Sequence, residues 1–154
     1  MALRSERAAH QRRAVACRAQ SGSARGWTGY DQRVGDVQLP SPGSQHDPAY
    51  DGVTAAPASH LVVYEDDHRR ELVVLVPPGG RGAFHHHLRR SEMRVFRSAP
   101  LRYHHVDGRT DDLPKSDATP DRPVVAQLDP EPLHAVENLS ERDTYYALRI
   151  EFKD

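Results

Sequence analysis

The chain has 154 residues, room for one domain and hardly two. Its 21 Lys and Arg against 22 Asp and Glu give a formal charge of −1, which argues against a general nucleic-acid or acidic-membrane binder. No apolar run approaches the roughly 18–20 residues of a membrane span, and the single cysteine, Cys17, excludes an internal disulfide and any Cys-based metal cluster.

Residues 1–30 carry Arg4, Arg7, Arg12, Arg13, Arg18 and Arg25 against one acid, Glu6, with no apolar core of a secretory signal. That composition predicts a disordered Arg-rich tail and, in the absence of an export signal, a cytoplasmic protein. Arginine outnumbers lysine 19 to 2, a bias that fits a GC-rich bacterial genome. Residues 31–59 contain Pro40, Pro42, Pro48 and Pro57 among Gly and Ser and are expected to form a linker or an arm packed on the domain, with a short strand around Val34–Leu39.

From His60 to Asp154 the pattern is β-type. Leu61–Tyr64 and Glu71–Val76 are runs of strand formers, the second ended by Pro77-Pro78-Gly79-Gly80. Met93–Phe96, Leu101–Val106 and Pro123–Leu128 follow, and Asp107-Gly108 marks a hairpin turn. In Tyr145–Phe152, Tyr146, Leu148, Ile150 and Phe152 share one face and Arg149 and Glu151 the other, the period of a half-buried strand. Asp111–Arg122 is polar, bears proline and reads as a loop. Short strands spaced by turn signals predict an all-β sandwich or barrel.

Ten histidines are the compositional anomaly. On an extended strand residues i and i+2 point the same way about 7 Å apart, so His85 and His87 aim two imidazoles at one point while His86 faces away. If Leu88–Ser91 is a hairpin connection, Glu92 begins the next strand beside them. His134, after Pro130 and Pro132, opens a later strand and supplies a third imidazole. His105, on the fourth run, is a further candidate for moving a proton.

These residues resemble the cupins. Gly79 lies six positions before His85, and His85, His87 and Glu92 match the first cupin motif, G(X)5HXH(X)3–4E(X)6G. His134 and Asn138 match the HXXXN end of the second. Ala99 stands where the first motif closes on glycine, and Asp129-Pro130-Glu131 replaces the PXG turn. The resemblance spans residues 60–154 and is nearest to small single-domain bacterial cupins. It implies a small jelly-roll β-barrel with His85, His87, Glu92 and His134 as ligands of one divalent metal ion, Fe, Mn, Ni or Zn. It further implies a small-molecule substrate or ligand. The core is modest for the chain's size, so a homodimer that buries apolar strand faces is expected, and the balanced charge predicts no nucleic-acid or membrane partner. The expected activity is metal-dependent and Fe(II)-dioxygenase-like. The alternatives are a non-redox isomerase or cyclase and a non-catalytic ligand-binding barrel. No nucleophile elbow is present, and Gly80-Arg81-Gly82 lacks the third glycine and the helix of a dinucleotide loop.

Overall fold

The computed structural model describes residues 46–153. The expected Arg-rich tail and the strand around Val34–Leu39 lie outside the described residues. Among the described residues nine strands form the body: β1 (His60–Glu65), β2 (Arg69–Val76), β3 (His85–His87), β4 (Ser91–Arg97), β5 (Leu101–His105), β6 (Thr110–Leu113), β7 (Val124–Leu128), β8 (Glu131–Asn138) and β9 (Tyr145–Phe152). They make two antiparallel sheets, one ordered β1-β2-β9-β4-β7 and one ordered β3-β8-β5-β6. Before β1, a 3-10 turn (Pro48–Tyr50) and one short helix, α1 (Gly52–Ala55), pack against the body.

Turn chemistry fixes the connections. Gly79, at φ 65°, follows Pro78 in a turn closed by Gly80 N–H donating to Pro77 O at 2.9 Å. This is the proline-then-glycine order of a type II turn. Gly108, at φ 84°, turns β5 into β6 where the Asp107-Gly108 pair predicts it. Asn138 closes β8: its amide donates to Val76 O and Asp143 O at 2.9 and 2.8 Å and accepts from Ser140 N–H.

The interior of the five-stranded sheet is graded along its strands. Cross-strand partners place Val74 beside Ala147 and Ala147 beside Val95; Leu72 and Met93 flank Arg149; Arg70 and Ser91 flank Glu151. Val74, Met93 and Ala147 form the apolar core with Val95, Leu128 and Tyr145 packed on it. Two registers further along, the same face becomes ionic.

Two expectations change. The buried face of β9 is the one with Ala147, Arg149 and Glu151, while Tyr146, Leu148 and Ile150 are only half-buried and Phe152 is exposed. The apolar set therefore faces outward, beside Val73 and Leu75 of β2. The segment read as a loop over 111–122 begins as strand β6, whose residues are all exposed. An edge strand hydrogen-bonds through its backbone and needs no apolar side chains to do so.

Candidate metal centre

Four imidazoles meet between the sheets. His60 opens β1, His85 and His87 form the ends of β3, and His134 lies on β8 opposite His85. Ring centroids are 4.5 Å apart for His60 and His85, 5.1 Å for His85 and His87, and 4.6 Å for His85 and His134. His60, His85 and His87 each offer a ring nitrogen, all within 4.8 Å of one another, a set able to hold a metal ion. All four side chains are at most 6% exposed.

The partners of the rings decide which nitrogen is free to ligate. His85 Nδ1 lies 2.9 Å from Ala83 O and His134 Nδ1 2.8 Å from Pro132 O. A carbonyl only accepts, so both Nδ1 atoms carry the hydrogen and both Nε2 atoms keep the lone pair. His87 Nδ1 donates to Glu151 Oε1 at 2.7 Å. His60 Nδ1 lies 3.0 Å from Ser59 Oγ, whose own hydrogen goes to Ala56 O, so the ring is again the donor. Ligating histidines are held by outer hydrogen bonds of this kind, which set tautomer and orientation. Burial also keeps the rings neutral, the ligating form. It pushes His60 down to about 4. It holds His85 and His87 well below the ordinary imidazole value, reinforced by His134 for the first and by the Arg149 charge for the second. His134 is lowered by the same burial.

A chain of ion pairs supports His87 from behind. Glu151 Oε2 accepts from Arg70 Nε at 2.7 Å, and Arg70 forks onto both Asp51 oxygens at 3.0 and 2.9 Å. Asp51 caps α1 by accepting from Val53 N–H, so the arm, β2, β9 and the cluster are one connected unit. His86 faces away from the cluster, as alternation predicts, and its Nε2 donates to Asp47 O in the arm at 2.9 Å. Gly52 sits directly over the cluster, where an added Cβ would lie 2.7 Å from His87 Cε1. Gly52→Ala is therefore expected to displace the arm or the ring and to cost about 1–3 kcal/mol, the range for overpacking, measurable as a lower urea midpoint.

The structure does not bring Glu92 to the imidazoles. Residues 88–90 are a corner between sheets rather than a hairpin: β3 pairs with β8, whereas β4 pairs with β7 and β9. The inward positions of β4 are Ser91 and Met93, and Glu92 accepts from Arg94 Nε at 2.5 Å and from Gln127 Nε2 at 2.8 Å on the other face. Glu92→Ala is expected to leave metal affinity within about twofold of wild type, against the 10–100-fold loss typical of groups that support a ligand; equilibrium dialysis reads the difference. His105 gives its Nε2 to Asp111 at 2.7 Å at the partly exposed rim, and His104 is paired with Glu137. His60, Arg149 and Glu151 are the site residues that the sequence reading passed over. For the last two the signal was present, as charges at alternate positions of an apolar strand.

Beside the cluster a cavity of about 30 Å³ is lined by His60, His85, Tyr103, Tyr145 and apolar side chains. Tyr103 stacks on His134 at 5.2 Å. Burial pushes the Tyr145 phenol up to about 12 and raises Tyr103 as well, so both stay protonated. No helix among the described residues is long and apolar enough to cross a membrane.

No protein-family model and no curated protein matches the chain by sequence. Solved structures match it by fold. A cupin domain from Bordetella pertussis Tohama I is similar at 22% identity, a TM-score of 0.50, and coverage of 62% of this chain and 92% of that one. An uncharacterised conserved protein with a double-stranded β-helix domain from Klebsiella pneumoniae matches at 19% identity and TM-score 0.45, over 76% of this chain and 84% of its own. An RmlC-like cupin family protein from Methanocaldococcus jannaschii matches at 9% and 0.46, over 60% and 77%. With its two facing antiparallel sheets, the chain has the cupin fold.

Proposed function

We propose that the chain is a metal-dependent cupin acting on a small molecule, with His60, His85, His87 and His134 holding one divalent ion. The observation that carries this reading is the orientation of the rings: each Nδ1 is tied to an acceptor, which leaves the lone pairs on Nε2. The donor chemistry fits a borderline first-row ion such as Zn, Ni, Cu or Fe(II), and an all-imidazole set suits Mn less well. Without Glu92 the ligands are uncharged, so the ion would keep its full charge and supply Lewis-acid polarisation of a bound oxygen. Glu151 orients His87, the protonated phenols of Tyr103 and Tyr145 flank the cavity, and the arm with Gly52 screens the cluster from bulk water.

That Lewis-acid chemistry supports the non-redox, isomerase- or cyclase-like reading, with the Fe(II)-dioxygenase-like one as the alternative. Elemental analysis of untagged protein is expected to give one metal per chain, and none after His85→Ala, His87→Ala and His134→Ala together. Equal metal in both overturns the reading. O2 uptake by the Fe(II)-loaded protein with candidate substrates would restore the dioxygenase-like alternative, and metal bound with no turnover the non-catalytic one. The half-buried apolar outer face of β9 supports a homodimer through the five-stranded sheet; a monomer by light scattering at micromolar concentration contradicts it.

A further inference from the structure

Arg149 is buried to 2% exposure, yet its guanidinium is only partly satisfied. Nη1 donates to Glu131, while Nε and Nη2 have no hydrogen-bond partner among the described residues. The nearest carboxylate oxygen to Nε is Glu151 Oε1 at 3.7 Å, too far for a hydrogen bond and already held by His87 Nδ1. Nε–H and Nη2–H lie on one edge of the guanidinium and point in parallel, the geometry that receives the two oxygens of a carboxylate. A third unpaired donor is close by: Ser91, 1% exposed and facing inward on β4 beside Glu151, has no partner for its Oγ. Buried polar groups are rarely left unpaired, and cationic donors least of all.

Position and charge agree with a ligand there. Arg149 pairs with Glu131, whose strand partner is His87, and lies near Glu151, which holds the His87 ring, so its side chain sits beside the cluster. Arg70 and Arg149 face Asp51, Glu131 and Glu151, two positive charges against three negative. One divalent ion turns that deficit into a single positive charge, which one monoanion neutralises.

We infer that the open edge of Arg149, with Ser91, receives the carboxylate of a small monocarboxylate ligand beside the metal centre. The inference rests on the metal reading for its charge balance. A planar, singly charged, two-oxygen group matches both the fork and the charge balance; a dianionic phosphate matches the fork but leaves an excess negative charge. Arg149 thereby sets the substrate class, small carboxylic acids.

Calorimetric titration of the zinc-loaded full chain with acetate and with acetamide, at constant ionic strength, tests this. Acetate is expected to bind, acetamide not. Arg149→Lys, with zinc content verified equal, is expected to weaken acetate at least tenfold, because lysine keeps the charge but not the fork. Ser91→Ala, which removes only a hydroxyl, is expected to weaken it severalfold and serves if Arg149→Lys fails to fold. Acetate affinity unchanged in both foldable variants means that the metal alone takes the anion and overturns the inference; so does the absence of acetate binding. If the chain takes up no zinc, the metal reading fails by itself. Acetate binding to the metal-free wild type that Arg149→Lys or Ser91→Ala weakens then upholds the fork, and no binding overturns it.

Discussion

Glu151→Ala is expected to cost about 3–5 kcal/mol, the penalty for breaking a buried ion pair from one side. One carboxylate, 1% exposed, anchors the His87 ring, pairs with Arg70 and faces Arg149. Its removal leaves buried guanidinium charge without its counter-ion. Against a domain stability of about 5–15 kcal/mol, that loss is a large share, visible as a lower midpoint in a urea melt. Glu151→Gln is the milder probe. It keeps the size and an acceptor for His87, so the fold should survive while metal affinity falls by about 10–100-fold, as for other residues that orient a ligating histidine. A Glu151→Ala protein as stable as wild type would show that the carboxylate does not hold this end of the barrel together.

The metal-free protein is expected to lose stability steeply as the pH falls below about 6.5, the ordinary imidazole value. Above it, folded and unfolded chains both carry neutral imidazoles. Below it the unfolded chain takes up protons that the folded chain refuses, so the balance tips toward unfolding until the folded-state values are reached, about 4 for His60. Each such ring contributes a slope of about 1.4 kcal/mol per pH unit. Several such rings in one cluster together amount to a large share of the stability of a domain. Urea midpoints in the presence of chelator should therefore fall sharply between pH 6.5 and 5. A flat profile over that range would mean that the rings are not buried in the neutral form.

The outline of this fold was legible in the sequence because six strands are runs of β-branched and aromatic residues bounded by Pro, Gly or Asp-Gly. β6 was hidden because an exposed edge strand pairs through its backbone, and the side chains of Thr110, Asp111 and Asp112 carry no pattern. The meeting of His85, His87 and His134 follows from two local spacings, whereas the position of Glu92 depends on whether 88–90 is a hairpin or a corner. That choice is made by which strands pair, and no residue in the turn records it. His60 was invisible for the same reason: a lone histidine at the start of a strand gains its role only from what the other sheet places opposite. In β9 the apolar set was the larger one, and hydrophobicity alone suggests that it faces inward. Instead the ionic set is inside, because Arg70, Glu131 and His87 supply its partners.

X-ray absorption of the zinc-loaded, untagged chain reads the donors directly. Imidazole nitrogens are expected at about 2.0–2.1 Å, with their number reduced by His85→Ala and unaltered by Glu92→Ala. A shell dominated by oxygen, or one that His85→Ala leaves intact, would contradict that expectation.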